Sequence, residues 1–225
     1  PLPVLADMKF GIKTGVNEFF YLNRETATTW GIEPQYLKPA ITSTSEIDTL
    51  VIRAPRAERL LFCCPFSVAE LKAKKHAGAL GYIKWGAELT TKSQGKHTKA
   101  GVPIPQTSSV RGHRPEWHCV NPPSAGDVVV PRLIRERFCF ADNPEHILVS
   151  DMFFFGYARG NARVLAAALN CTFTYLMLEL LGRQGIGGRF NVYGSELNEL
   201  LLLNVEAFGS KQLTQDIQRS FKPLA

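Results

Sequence analysis

Short apolar runs separated by Gly, Pro and polar clusters fill the first 157 residues, and a longer helical periodicity takes over after them. Phe10 to Leu22 reads as a strand, a Gly-containing turn at Lys13-Thr14-Gly15, and a second strand through Glu18-Phe19-Phe20-Tyr21-Leu22. Further strands are expected at Leu37–Ile41, Leu50–Ile52, Arg59–Cys64 (ended by Pro65), Val128–Val130, Arg137–Phe140, Ile147–Val149 and Met152–Phe155. Ser67 followed by Glu70 has capping-box spacing and predicts a helix from Val68 to near residue 90. Gly78 and Gly81 are its expected break points, with Leu71, Leu80, Tyr82 and Ile83 facing inward. Helices are also expected over Asn161–Leu181, Ser195–Leu203 and Gln212–Phe221, a Gly-rich bend at Gly182–Gly188 separating the first two. The fold class is α+β, a twisted, strand-rich region to residue 157 followed by a helical hairpin, in a single domain spanning 1–225.

Composition narrows the class without naming a function. Of 225 residues, 45% are apolar and 20% charged, as in ordinary globular chains, so disorder is excluded as a general description. Five cysteines form no CxxC pair and have no His at ligand spacing, which argues against zinc and against a disulfide framework. Reduced thiols in a cytoplasmic protein fit best. The chain begins with Pro, and no leader pattern follows, so a fragment of something longer is expected. Val164–Leu181 is apolar but interrupted by Asn170, Thr172, Thr174 and Glu179, and reads as a buried helix rather than a membrane span.

Charge adds the first functional hint. Between Lys72 and Arg137 twelve Lys/Arg face four acids, whereas the rest of the chain is slightly acidic. Within this region, Thr91–Arg114 holds three Lys, two Arg and two His but no Asp or Glu, and lacks any periodicity. A long, acid-free loop of this kind suits contact with a polyanion.

Gly11-Ile12-Lys13-Thr14-Gly15-Val16-Asn17-Glu18-Phe19-Phe20 resembles the G-x-x-T-G-x-N-x-x-F stretch that opens target-recognition domains of amino-type DNA methyltransferases and of restriction–modification specificity subunits. Other elements match in the same order: Lys38-Pro39-Ala40-Ile41, Arg114-Pro115-Glu116-Trp117, Ala168-Leu169-Asn170-Cys171 (Cys where the family has Ser) and Gly187-Gly188-Arg189-Phe190. The resemblance covers about residues 1–205. It implies a non-catalytic domain that reads double-stranded DNA for an N6-adenine methyltransferase or restriction–modification enzyme. The catalytic domain, in the same or a partner chain, would use S-adenosylmethionine, and this chain itself would need no cofactor, metal or membrane. The residues it points to are Lys13, Thr14 and Asn17 in the opening turn, Lys92, Lys96, His97, Lys99, Arg111, His113 and Arg114 in the loop, and Arg183, Gln184 and Arg189 near the bend. Arg suits guanine and Gln (Gln106, Gln184) suits adenine in a major groove, while any single Lys is read first as a phosphate contact or solvated charge. Trp117 is read as a core anchor before a stacking platform.

Two alternatives stay open. The chain could be half of a type I-like specificity subunit. Asn121-Pro122-Pro123-Ser124 also resembles the N-P-P-aromatic catalytic motif, but Ser124 stands where an aromatic ring would stack on a flipped base. No Gly-rich turn follows a strand upstream of it, so the tripeptide is read as a rigid turn.

Overall fold

The computed structural model describes residues 1–54, 57–91, 100–134, 139–185 and 190–203. In chain order it begins with α1 (Leu2–Leu5), β1 (Ala6–Phe10), α2 (Asn17–Phe20), β2 (Tyr21–Leu22), α3 (Arg24–Thr29), β3 (Leu37–Ile41) and β4 (Arg59–Phe62). The helices α4 (Val68–Lys74) and α5 (Ala77–Glu88) follow, then β5 (Val128–Pro131), β6 (Leu133–Ile134), β7 (Ala141–Asp142), β8 (Leu148–Val149) and β9 (Phe153–Ala158). Last come α6 (Ala162–Leu169), α7 (Thr172–Leu181), β10 (Arg183–Gln184), β11 (Phe190–Asn191) and α8 (Gly194–Glu199). The mixture is α+β, as the pattern of apolar positions leads one to expect. The chain divides into two compact units, one of Pro1–Gly11, Ile41–Arg56 and Ser124–Ala225, the other of Ile12–Ala40 and Ala57–Pro123.

The first unit is built on an antiparallel sheet of order β1-β9-β5-β7. Phe10 stands opposite Phe154, which stands opposite Val130, so three buried or packed apolar side chains cross the sheet in one row. On this sheet pack Leu165, Ala166 and Leu169 of α6, Leu178 of α7 and Leu197 of α8, closing one core with Val128, Phe140 and Val192. The side chain of Asn161 accepts the amides of Arg163 and Val164 and so starts α6, a cap worth about 1 kcal/mol. The expected single helix over 161–181 is two helices. Asn170 explains the break: its amide pairs with both backbone groups of Phe140 (3.1 and 2.7 Å), and Cys171 turns extended behind it. Thr174 then donates to the Ala168 carbonyl at 2.6 Å, fixing the bend. Burial is also uneven, because α6 is largely enclosed while Leu176 and Leu180 of α7 are exposed. Among the described residues no single helix is long and apolar enough to cross a membrane; α6 and α7 together are, by composition, but they bend by 62°.

The expected hairpin over Phe10–Leu22 does not form. Its first strand pairs instead with β9, 144 positions on at Phe10–Phe154. Gly11 then presses on the backbone of that region, since an added Cβ would stand 2.1 Å from the Ser150 carbonyl oxygen. The second expected strand begins as α2, with Phe19 and Phe20 amides both donating to the Val16 carbonyl, and only Tyr21–Leu22 is extended.

In the second unit β2, β4 and β3 pair antiparallel, Tyr21 with Leu61 and Leu37 with Phe62. The Ser67–Glu70 capping box opens α4 as the sequence predicts. The helix breaks not at Gly78 or Gly81 but at Lys75, which takes a left-handed conformation (φ 59°). The glycines lie inside α5, for packing reasons. A Cβ on Gly78 would meet the Gly31 carbonyl oxygen at 1.9 Å, and one on Gly86 would meet the Phe19 ring at 2.1 Å. Glu33 caps α5, its carboxylate accepting the amides of Gly78 (3.2 Å) and Ala79 (2.9 Å) at the positive end of the helix dipole. Leu71, Tyr82 and Ile83 are buried as expected, while Leu80 is only half-buried. Of the other expected strands, Leu50–Ile52 reduces to a bridge between Val51 and Asp142, and Cys139–Phe140 precedes β7 rather than forming a strand. The C-terminal expected helix becomes α8, ending at Glu199, and Arg137-Phe138, Gly187 and Gln212–Phe221 lie outside the described residues.

Two substitutions on α5 should therefore have opposite signs. Gly78→Ala gains about 1 kcal/mol of helix propensity but overpacks rigid backbone by about 1–3 kcal/mol or more, a net destabilisation. Gly81→Ala gains the same propensity, and its Cβ would rest 3.6 Å from the Trp30 ring, an ordinary contact, so it should stabilise. Urea unfolding midpoints at unchanged m-value separate the two.

Candidate nucleic-acid interface

Net charge divides unequally between the units. The second holds thirteen Lys/Arg against seven Asp/Glu, and the first holds thirteen against thirteen, so the whole excess of +6 belongs to the second. The opening turn and the basic loop both lie in that unit.

Within the turn, the hydroxyl of Thr14 donates to Oδ1 of Asn17 at 2.7 Å. Gly15 adopts φ +83°, a conformation that favours glycine, and it touches Ser109 so closely that a Cβ would lie 2.5 Å from the Ser109 Cβ. Ser109 in turn donates to the Gly15 carbonyl (3.2 Å) and neighbours the Thr107 hydroxyl at the same distance. The two sequence-predicted groups, separated by some ninety residues, are thus latched together. Phe19 and Phe20 anchor the turn from below. The Phe19 ring stacks on Tyr82 (4.9 Å) and lies 4.8 Å from Trp117, and Phe20 meets the edge of His113 at 5.5 Å. Trp117 is therefore held by aromatic packing, in line with its reading as an anchor.

The loop is tied at its base. Thr91 pairs with Val102 through its amide (2.9 Å) and accepts the Gly101 amide (2.9 Å), and Ile104 donates to Leu89 (2.9 Å). Lys92, Lys96, His97 and Lys99, between these stems, lie outside the described residues. Beyond the stem, Ile104, Thr107 and Val110 are buried, which turns Gln106, Arg111 and Arg114 outward. The Arg111 guanidinium makes no hydrogen bond or ion pair among the described residues. Arg114 differs: its Nη1 donates to the carbonyls of Arg111 (2.7 Å) and His113 (2.8 Å), so part of its guanidinium is spent on holding the loop. His113 is likewise engaged, donating from Nδ1 to the Trp117 carbonyl at 2.6 Å.

Three other expected contacts need correction or relocation. Thr14 is fully buried, so it shapes the turn and does not face a ligand. Arg183 belongs to the other unit, where its guanidinium is exposed but paired with Glu196 (2.9 Å) and rests over the Tyr193 ring. Gln184 is the second residue of β10, its side chain is not described, and Arg189 lies outside the described residues. Lys13 and Asn17 are exposed, as a contact surface requires.

Three residues of the site were not singled out from the sequence for these roles. Ser109 closes the latch; nothing in sequence spacing signals it. Glu116 reaches back to accept the Val68 amide at the start of α4 (3.0 Å). His118 is fully buried, with Nε2 donating to the Phe66 carbonyl (3.0 Å) and Nδ1 without a hydrogen bond among the described residues, 3.7 Å from Glu116. Together they fasten the segment after the loop to the β4–α4 junction. The Cys64 and Cys119 thiols approach the same Phe66 carbonyl at 3.7 Å, and burial pushes Cys64 up to about 11, an unreactive thiol. Among the described residues no three His, Cys, Asp or Glu side chains are placed to hold a metal ion. Asn121 and Pro123 lie exposed outside any helix or strand.

Residues 1–223 match the family model described as type II methyltransferase M.Eco57I, C-terminal domain. The chain belongs to that family. The M.Eco57I C-terminal-domain fold is also found in solved structures of restriction–modification enzymes. One is the type IIG restriction endonuclease BpuSI, with TM-score 0.63 and 14% identity over 95% of this chain and 25% of that one. Another is the type IIL enzyme MmeI in complex with DNA, with TM-score 0.53 and 16% identity over 85% of this chain and 24% of that one. This member of the family thus spans about a quarter of those enzymes' length. No curated protein is significantly similar to it.

Burial lowers the His118 pKa below its ordinary 6.5, against smaller opposing effects of the Phe66 carbonyl and Glu116. A depressed histidine favours the unfolded state once protons bind there, so its contribution is intact above about pH 6.5 and is lost as pH falls below it. Stability measured by urea unfolding should fall between pH 7 and pH 5, and His118→Gln should flatten that part of the profile.

Proposed function

We propose that this domain reads duplex DNA for a restriction–modification methyltransferase and supplies no catalytic group itself. The observation that carries the proposal is the placement of the entire charge excess in the unit where the opening turn is latched to the basic loop. Membership of a methyltransferase C-terminal family supports it, as does likeness in fold to an enzyme solved with DNA. In this reading the modification is at N6 of adenine, S-adenosylmethionine serves a catalytic domain in the same or a partner chain, and the setting is cytoplasmic. Lys92, Lys96, His97 and Lys99 contact phosphates, while Arg111, whose exposed guanidinium has no partner among the described residues, reads a base edge bidentately.

A salt titration against a pool of random duplexes, with sequencing of the retained fraction, tests this. Binding should weaken steeply with salt and enrich one short motif containing adenine. Replacing Lys92, Lys96 and Lys99 together by Ala should weaken binding to every sequence and reduce the salt slope by about 3. Arg111→Ala should blur preference at one base pair, a loss of discrimination of about 1–3 kcal/mol. Arg114→Ala, which frees the Arg111 and His113 carbonyls, should weaken all sequences alike. No salt-dependent binding by the domain, together with none by the enzyme that contains it, would remove the proposal.

A further inference from the structure

The opening turn carries a more specific message than its exposure alone. Thr14 is fully buried, and its hydroxyl has one hydrogen-bond partner among the described residues, the Oδ1 of Asn17 at 2.7 Å. A buried hydroxyl must place its proton on an acceptor, so this bond fixes which way the Asn17 amide points. The carbonyl oxygen is turned inward to Thr14. The NH2 group is therefore the outward face of an exposed side chain, and it has no partner among the described residues. Lys13, four positions earlier and also exposed, makes no ion pair among them. The backbone between the two is held by the left-handed Gly15 against Ser109, so the pair is presented by a fixed turn.

We infer that Asn17 and Lys13 together take one backbone phosphate of the duplex, and that Thr14 is the positioning residue that aims the Asn17 amide at it. The inference rests on the duplex-DNA reading above and assigns this turn a role distinct from base reading. The reason is the match of hydrogen-bonding character. The Lys13 and Asn17 side chains offer an ammonium and an amide NH2, donors only and one of them charged, with the exposed Glu18 carboxylate next in the chain. The major-groove edge of every base pair mixes acceptors with an amino donor of adenine or cytosine; guanine alone shows two acceptors, but neither carries the full negative charge that an ammonium matches. A phosphodiester displays acceptors only, with a negative charge. An Asn free to rotate its amide would be able to serve either surface; one pinned by Thr14 is committed to acceptors.

The test uses the same random-duplex selection, followed by a scan of the enriched site with single methylphosphonate substitutions, each of which removes one phosphate charge. Asn17→Ala and Lys13→Ala should each weaken binding about five-fold on all sequences, the scale of one such hydrogen bond, and leave the enriched motif unchanged. One methylphosphonate should weaken the unaltered domain by at least that factor, weaken Asn17→Ala less because only Lys13 still faces that phosphate, and have no further effect on the Lys13→Ala/Asn17→Ala double variant. Thr14→Val should reproduce much of the Asn17→Ala loss, and Thr14→Ser, which restores the donor, should recover it. Thermal melting reports whether the Thr14 variants fold; if Thr14→Val does not, the surface variants and Thr14→Ser decide the matter. The inference is overturned if Asn17→Ala changes the motif while every methylphosphonate stays additive, which makes Asn17 a base reader. It is overturned equally if Asn17→Ala binds as the unaltered domain does. Absence of binding by the unaltered domain to any duplex would instead remove the DNA reading, and this inference with it.

Discussion

The close approach of Gly15 to Ser109 is the contact on which the candidate interface depends. It requires a residue with no side chain and a left-handed backbone at one position, and a small hydroxyl at the other. The presentation of Lys13 and Asn17 on one side and of the segment after Ser109 on the other depends on it. Behind Gly15 the Phe19 ring sits in a recess formed by Gly86, Tyr82 and Trp117, so the turn is backed by rigid aromatic packing. In front of it Lys13 and Asn17 face out. On the other side of the contact, Val110 is buried immediately before Arg111, whose carbonyl together with that of His113 holds Arg114, and the Arg111 side chain is left at the surface. A turn that reads locally as an ordinary hairpin is in fact a joint between distant segments.

The same economy governs the polar groups beneath. Glu33 caps α5 and Glu116 reaches the first amide of α4, so two of the unit's seven acids are consumed in satisfying helix ends. Glu70 is committed likewise, to the Ser67 capping box. Acids used this way sit at the positive ends of helices, where their charge is opposed locally, and the cations that remain outward set the character of the surface. The first unit has no such surplus, and there the exposed Arg183 and the half-exposed Arg163 are each matched by a buried or nearly buried carboxylate, Glu196 and Asp142.

Elements governed by local chemistry were legible in the sequence. The Ser67–Glu70 box, the strand at Leu37–Ile41 ahead of its polar stretch, and the apolar runs that became β4, β5 and β9 all stand where pattern puts them. The misreadings have one common cause, a partner far away in the chain. Phe10 reads locally as one strand of a hairpin, but its partner, Phe154, lies on β9. Asn170 looked like an interruption inside one helix because nothing nearby reveals that its amide completes the backbone of Phe140. Gly78 and Gly81 looked like breakers, yet the first is a point of backbone contact with Gly31 and the break falls at Lys75. Of the candidate residues, Lys13, Asn17 and Arg111 stand out in the sequence by residue type and order, and the structure leaves all three exposed. Thr14 was legible too, but as a contact, because burial is invisible from a motif. Ser109 and His118 carry no signature at all; their roles exist only once the turn, the loop and the Phe66 carbonyl are brought together.

The hydrogen-bonded stem at Thr91, Gly101 and Val102 has a consequence for how such a domain changes over time. Because both ends of residues 92–99 are clasped at the base, added or deleted residues between them are charged only the entropy of a larger or smaller ring. That entropy grows logarithmically, about 0.6 kcal/mol for each doubling of length, a small fraction of a domain's stability. Lineages can therefore lengthen, shorten or recompose this segment almost freely, while the stem keeps the surrounding fold in register. Variation between the two ends of the stem and constancy of the fold outside it become independent variables, separated by three backbone hydrogen bonds at 2.9 Å.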